Sequence, residues 1–460
     1  MALNTYLGPK GYTILKNEIP ENMHVFIKKE LCIKPFIQGA PQNLTNSFLS
    51  YRESNNKFYI PRYFGEKHFG KPAQIKIKDG DDINLHFNGE LRENQVIVVD
   101  TFLDYVKYGG GGLLDLPCAF GKTSLSLYIV SMLKKKTLVI VHKEFLLNQW
   151  IERIHQFLPN ARIGKIQGQI IDIENKDIVL GMLQSLSMKE YPSTIFDSFG
   201  LTIIDEVHHI SSEVFSCALF KIVTKYMLGL SATMNRKDGT TNVFKMFIGD
   251  IIYKETRKQD NDVIVKCMKY ECDDPDFNEV EYDYRGKVKF STMISKLCAF
   301  NPRSEYILQI IKDMLYENPK QQIMILAHNK NLLKYLHDAI SERNISDVGY
   351  YVGGMKEPAL KLSETKTIII ATYAMAAEAL DIKTLTTLIM ATPKTDIEQA
   401  VGRILRSKHL TPVVVDIVDK HELFKRQWIK RQQFYKKQNY KIIQCYNVEW
   451  STIYEPKCLI

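Results

Sequence analysis

Residues Asp115–Ser124 read DLPCAFGKTS, with Gly121, Lys122 and Thr123 at the point where an apolar strand gives way to a helix. A phosphate chain needs backbone N–H donors, a helix N-terminus, an ammonium group and a hydroxyl that can hold Mg²⁺. Leu116, Pro117, Cys118, Ala119, Phe120, Gly121, Lys122, Thr123 and Ser124 can form that cradle. Lys122 would meet the β- and γ-phosphates and Thr123 would hold the metal. The triplet alone is a weak signal, because GKT and GKS arise by chance. The apolar run before it and Leu125, Tyr128, Ile129 and Met132 after it argue against chance.

Asp205 and Glu206 close the apolar run LTIID. Carboxylates at a strand's C-terminal end lie where open α/β sheets bind ligands, so Asp205 would orient Mg²⁺ and Glu206 the attacking water. Without a preceding phosphate loop they would read as solvated side chains. His208, the fourth residue of DEVH, is given a coupling role, whereas His209 reads as an ordinary satisfied histidine. Arg403 and Arg406 in QAVGRILR are three apart, which predicts one helical face carrying two guanidinium groups able to stabilise a departing γ-phosphoryl. Two solvated arginines are the plainer alternative, but Gln399 and Gly402 at these spacings favour function.

These residues need rigid sheets to position them. Short apolar strands alternate with helical stretches twice, which predicts α/β architecture: two tandem nucleotide-fold lobes with parallel sheets. Strands are expected at Gly112–Leu116, Thr137–His142, Asp177–Met182, Leu201–Glu206 and Met227–Thr233 in the first lobe. In the second they are expected at Ile323–His328, Val348–Gly353, Thr367–Thr372, Thr387–Thr392 and Val413–Val418. The expected domains are a small N-terminal α+β accessory domain (1–85), the ATP-binding lobe (86–255), a turn-rich connector with one strand at Val263–Tyr270 (256–302), and the second lobe with a basic C-terminal helix (303–460).

The chain has 460 residues, 45% hydrophobic and 25% charged, with a formal net charge of +9. That size exceeds one ordinary core, and the balance is that of a soluble protein. No apolar run reaches membrane-spanning length and the N-terminus lacks a signal layout, so no membrane role is expected. The eight cysteines show no CxxC pair, which points to a reducing intracellular compartment. The charge permits a polyanionic partner without proving one.

Phosphate loop, DEVH, SAT, ATYAMAAEALDI and QAVGRILR in this order resemble superfamily 2 helicases and translocases, from about Leu91 to the end of the second lobe. The resemblance implies adenine contact by Gln95, ribose contact by Asp381, and coupling through His208, Ser231, Thr233 and Gln399. VHKEFLLNQW and GMLQSLS look like nucleic-acid contact segments of the first lobe. The RKDG extension of SATMNRKDG resembles the subgroup with the transcription-factor-IIH and repair translocase. LPCAFGKT, IPRYFG and ATYAMAAEALDI look closest to the transcript-release helicases of poxviruses and other large DNA viruses. Leu116 and Ala119 depart from the usual phosphate loop, and Ala379 stands where the family often has glycine.

The resemblance implies that the two lobes are RecA-like and that the chain is an ATP hydrolase using Mg²⁺, sandwiching ATP between them. It would track DNA 3′ to 5′, mainly through the backbone, as a monomeric motor in viral transcription elongation, termination and transcript release. RNA or an RNA–DNA hybrid is the alternative track, and an ATP-switched structural subunit of a transcription or repair complex is a further alternative. RNA polymerase or other transcription factors are the expected partners, in the host cytoplasm or virus factory and in the virion. The basic stretch Lys420–Ile442 is expected to pack Leu423, Phe424, Trp428 and Ile429 on the second lobe and leave Lys425, Arg426, Lys430, Arg431, Lys436 and Lys437 solvated, rather than to stack on bases. Arg62, Phe58, Tyr59, Tyr63 and Phe64 read as packing residues before DNA contacts.

Overall fold

The structure is a computed structural model that describes residues 3–35, 47–117, 120–192, 194–209, 212–232, 234, 239–255, 263–378, 382–405, 412–446 and 457–458. The expectations placed on Cys118, Ala119, Thr233, Ala379, Asp381 and Arg406 lie outside these residues. The chain divides into two compact units, Met1–Arg257 and Lys258–Ile460.

The first unit contains a large sheet built on continuous apolar strands. Its order among the described residues is Ile170–Asp172, Ile163–Gln167, Ile178–Met182, Thr137–Val141, Leu201–Ile204, Tyr226–Ser231, Gly111–Asp115, Ile251–Lys254. All neighbours are parallel except the Ile170–Asp172 edge hairpin. Helices cover both faces, so strands such as Thr137–Val141 are buried along their whole length. The Tyr226–Ser231 strand lies between the phosphate-loop strand and the Leu201–Ile204 strand. Three sequence-distant loops therefore emerge side by side at one sheet edge.

The N-terminal residues form a separate five-stranded sheet, ordered Arg52–Glu53, Lys57–Ile60, Gly11–Leu15, Tyr6–Gly8, Gln74–Ile75. One face buries Tyr12, Ile14, Phe58 and Ile60 with Ile27 of the Glu21–Glu30 helix, Leu31 just after it and Phe64 of the Arg62–Phe69 helix. Arg62 and Tyr63 fasten this sheet to the large one. Arg62 Nη1 donates to the Lys225 carbonyl at 3.2 Å, and Tyr63 Oη donates to the Gly109 carbonyl at 3.0 Å.

The second unit repeats the parallel design, in the order Val348–Tyr351, Ile368–Thr372, Gln322–Ala327, Leu385–Met390, Val413–Asp419, Ile264–Tyr270, Lys441–Tyr446, Lys457–Cys458. Only the last pairing is antiparallel among those described. The segment expected to be a connector thus supplies a strand inside this sheet, Ile264–Tyr270, paired on both sides. Its acidic, turn-rich flank hid the fact that Val265, Cys267 and Met268 are core residues.

The basic helix Glu422–Lys437 packs as an amphipathic helix, burying Phe424, Trp428 and Tyr435. Two details differ from expectation. Arg431 is buried, with Nε and Nη2 donating to Asp416 at 2.7 and 2.9 Å and Tyr435 Oη donating to the same carboxylate at 2.9 Å. A buried carboxylate on the Val413–Asp419 strand demands a buried cation, and Arg431 supplies it. Ile429 points outward and is exposed. A second enclosed pair joins Arg303 to Asp419, at 2.5 and 2.9 Å. No described helix is long and apolar enough to cross a membrane.

Candidate nucleotide site

The Gly111–Asp115 strand ends in the phosphate loop, and the helix Lys122–Leu133 begins directly after Gly121. Gly121 sits at φ +86°, a left-handed conformation that a side chain resists, and an added Cβ would come within 2.4 Å of Gln95 Nε2. The first turn of the helix points the N–H groups of Lys122, Thr123 and Ser124 along its axis, at the positive end of the helix dipole. Ser124 Oγ is turned back onto the Gly121 carbonyl at 2.9 Å. Thr123 Oγ1 forms no hydrogen bond among the described residues. Leu116 is buried and its N–H donates to the Ser231 carbonyl at 2.8 Å, so this N–H belongs to the scaffold.

Asp205 and Glu206 follow the Leu201–Ile204 strand and face the loop. Lys122 Nζ lies 3.3 Å from Glu206 Oε1. Asp205 is buried and accepts the indole N–H of Trp150 at 2.9 Å. Burial and the neighbouring Glu206 push the Asp205 carboxyl up to about 6, against the pull of Lys122 and the Trp150 hydrogen bond. Two carboxylates against one ammonium leave a negative excess in a water-poor place. That donor set, with the Thr123 hydroxyl, fits a hard divalent cation such as Mg²⁺. Glu206 itself adopts φ +50°, a left-handed conformation uncommon for a non-glycine residue.

His208 links this pair to the next loop. Its Nδ1 lies 2.6 Å from Ser231 Oγ and 3.4 Å from Glu206 Oε2. Lys122, Glu206, His208, Ser231 and Leu116 thereby form a closed circuit of contacts around the loop.

Gln95 is buried near the start of the helix Glu93–Gly109. Its Oε1 accepts the Arg92 N–H at 2.9 Å, and its Nε2 donates to the Phe120 carbonyl at 2.8 Å. Arg92 Nη2 donates to the same carbonyl. One N–H and one oxygen lone pair of Gln95 remain beyond these two bonds.

The two segments resembling nucleic-acid contacts leave the neighbouring strands Thr137–Val141 and Ile178–Met182, and Gln184 Nε2 donates to the His142 carbonyl at 3.1 Å. Burial lowers the Lys143 ammonium from its ordinary value.

In the second unit Gln399 lies on the short helix Glu398–Val401. Arg403 does not continue that helix: its N–H donates to Ala400 at 3.1 Å, an i−3 bond, after Gly402 has bonded to Glu398 at 2.9 Å. The helix tightens into turns where glycine weakens it, so Arg403 is not on the helix expected to carry it. Arg403 is buried, 8% exposed.

Sequence reasoning missed Trp150 and Arg92. Trp150 sits on the apolar face of the helix Glu144–Phe157 with Leu146, Leu147 and Ile154, so its pattern reads as core, and only the indole N–H hints at a polar partner. Arg92 precedes a helix as an unremarked surface cation.

Residues 88–236 match the family described as "Type III restriction enzyme, res subunit". "Putative ATP-dependent RNA helicase L396" of Acanthamoeba polyphaga mimivirus is 36% identical over 456 residues, covering 96% of this chain and 87% of that protein. "Putative helicase 161L" of Invertebrate iridescent virus 6 is 26% identical, covering 93% of this chain and 98% of that protein. "Putative ATP-dependent RNA helicase QP509L" of African swine fever virus is 29% identical, covering 72% of this chain and 70% of that protein. The chain is an ATP-hydrolysing enzyme of the superfamily 2 helicases. Within them it belongs to the helicase family of large DNA viruses.

Proposed function

We propose that the chain is an ATP-driven motor that tracks along DNA in the 3′-to-5′ direction and serves viral transcription elongation, termination and transcript release. The observation that supports an ATP-driven motor is the circuit joining Lys122, Glu206, His208 and Ser231 at the ends of three adjacent strands, while the DNA track, its polarity and the transcription role rest on the family resemblance. Such a circuit lets a change at the phosphates be felt at the loop after Ser231.

In the proposed chemistry Lys122 leaves Glu206 and neutralises the β- and γ-phosphates, aided by the first-turn N–H groups. Thr123 and Asp205 are the residues that would hold Mg²⁺, which when bound supplies charge neutralisation between the phosphates. Glu206, released from the ammonium, orients or deprotonates the attacking water. Arg403 and Arg406 are the guanidinium groups assigned to the charge that builds on the departing phosphoryl. The remaining donor and acceptor of Gln95 match one edge of adenine, favouring ATP over GTP, and Asp381 is assigned to the ribose. Thr233 and Gln399 are assigned to coupling with Ser231 and His208. RNA polymerase or another transcription factor is the proposed partner, and the working form is proposed to be a monomer.

A second reading, an RNA helicase, is favoured by the names of the mimivirus and swine fever virus relatives. ATP hydrolysis should be compared with duplex DNA, single-stranded DNA and RNA, with Lys122→Ala as the inactive control, alongside strand and triplex displacement. Stimulation by DNA with displacement supports the motor. Stimulation by RNA alone supports the second reading. Nucleotide-dependent binding without displacement would favour a conformational switch, and full turnover by Lys122→Ala would remove the site itself.

A further inference from the structure

The N-terminal sheet has a second face that the ATP site does not use. Alternation along Lys57–Ile60 buries Phe58 and Ile60 and sends Lys57 and Tyr59 to the opposite side, both half-buried. Across the strands, Tyr59 lies opposite Thr13, and Thr13 lies opposite Tyr6. The backbones of the two tyrosines are therefore two strand spacings apart, roughly 10 Å, with Thr13 buried between them.

Tyr6 lies back over its own strand. A Cβ added at Gly8 would come within 3.0 Å of Tyr6 Cε2, so a glycine at that position is what lets the ring settle against the sheet. Cations surround both rings. Lys76 Nζ is 4.2 Å from the Tyr6 ring centre, Lys57 Nζ donates to Tyr6 Oη at 3.2 Å, and Lys10 Nζ is 5.2 Å from the Tyr59 ring centre. Among the described residues none of these three lysines makes an ion pair with a carboxylate. The sheet's other edge is closed, because Arg52, opposite Tyr59, lies over Phe220 of the first lobe.

Two aromatic rings on one sheet face, set among lysines without carboxylate partners, favour a flexible polyanion with exposed π-faces. A single strand of nucleic acid has both properties, whereas a duplex hides its base faces. Tyr6 and Tyr59 are half-buried, and a lysine resting on the open part of such a ring is held less tightly than a stacked base, so an arriving base can displace the ammonium toward its own phosphate.

We propose that this face is a second nucleic-acid site, on which bases of a single strand stack against Tyr6 and Tyr59 while Lys10, Lys57 and Lys76 neutralise the flanking phosphates. It rests on the reading that the chain acts on nucleic acid, and assigns the N-terminal domain the task of holding a strand apart from the motor lobes.

The test uses the full chain carrying Lys122→Ala, so that failure of the motor reading cannot mask the result. Iodouridine-substituted DNA and RNA single strands of roughly 12 nucleotides are photocrosslinked, and the adducts are mapped by mass spectrometry. Fluorescence anisotropy compares the same oligonucleotides, and a duplex of equal length, with the double variant Tyr6→Ala, Tyr59→Ala. Crosslinks at Tyr6 or Tyr59, and a loss of single-strand affinity of about ten-fold or more on double substitution, are expected. The double variant Tyr6→Phe, Tyr59→Phe retains the rings and should bind within about three-fold of the parent if stacking is the main term. The preferred sugar is read from the DNA and RNA arms. Adducts confined to the lobes with unchanged affinity overturn the proposal, as does an equal loss for the duplex. Unchanged basal ATP hydrolysis by the alanine pair in the otherwise native chain verifies that the first lobe remains folded.

Discussion

His208 Nδ1 and Ser231 Oγ meet at 2.6 Å, joining the loop after the Leu201–Ile204 strand to the loop after Tyr226–Ser231. The same ring nitrogen lies 3.4 Å from Glu206 Oε2. One imidazole thus stands between the carboxylate facing the phosphate loop and the serine of the SAT segment. Ser231→Ala removes the hydroxyl and frees the imidazole from that side. Basal ATP hydrolysis should stay within a few-fold of the parent, while strand displacement per ATP falls about ten-fold or more; the ratio of the two rates is the measurement. Equal change in both would place Ser231 in the chemistry instead of the coupling.

Glu206 holds a left-handed backbone at φ +50°, a conformation that costs a residue with a Cβ about 1–2 kcal/mol. Glu206→Gly relieves that strain. The variant should melt higher than Glu206→Ala and lose turnover as completely. A Glu206→Gly protein less stable than Glu206→Ala would show that the strain is absent in solution.

Trp150 donates to the buried Asp205 carboxylate at 2.9 Å. Trp150→Phe keeps most of the apolar volume and deletes the donor, a loss of about 1–3 kcal/mol for a buried charged acceptor. The expected signature is a higher Mg²⁺ concentration for half-maximal ATP hydrolysis, since Asp205 is freed to rotate. A lower melting temperature with an unchanged Mg²⁺ dependence would limit Trp150 to packing.

Arg431 and Asp416 are enclosed together beneath the C-terminal helix. Arg431→Ala strands the carboxylate and should cost the second unit about 3–5 kcal/mol, whereas Lys430→Ala on the exposed face should cost little. Denaturation followed by hydrogen exchange in the Val413–Asp419 strand separates the two.

His421 is buried and its Nε2 lies 2.7 Å from the Phe277 carbonyl, which makes that nitrogen the donor. Burial holds the imidazole below its ordinary value. The unfolded chain therefore binds the proton first. The contribution of the neutral ring is complete above about pH 6.5 and is lost as pH falls toward the depressed folded value. Melting of the second unit should drop as pH falls below about 6.5, and His421→Gln, which keeps an amide donor, should flatten that slope.

Continuous apolar strands such as LTIID and TIIIAT were legible because a sheet covered on both faces leaves no polar alternation to confuse them. The phosphate loop and DEVH were legible for the same reason: each follows such a strand. Arg431 was not, since a cation among five exposed ones looks like its neighbours until the strand beneath shows Asp416. Gln95 was identified by resemblance and its bond to Arg92 is local, but its bond to Phe120 depends on a loop brought near by the fold. The expectation of a helical face carrying Arg403 failed at Gly402, where a spacing argument carries no information about a tightening turn.

The N-terminal domain grips the first lobe at the Gly109 and Lys225 carbonyls, just before the strands Gly111–Asp115 and Tyr226–Ser231 begin. Those strands end at the phosphate loop and at Ser231, about 17–20 Å away for five or six extended residues. Extended backbone pinned on both sides neither stretches nor bends easily. The pair can act as a stiff lever, so that a tilt at the loop reappears as a swing of the N-terminal sheet and of anything resting on it.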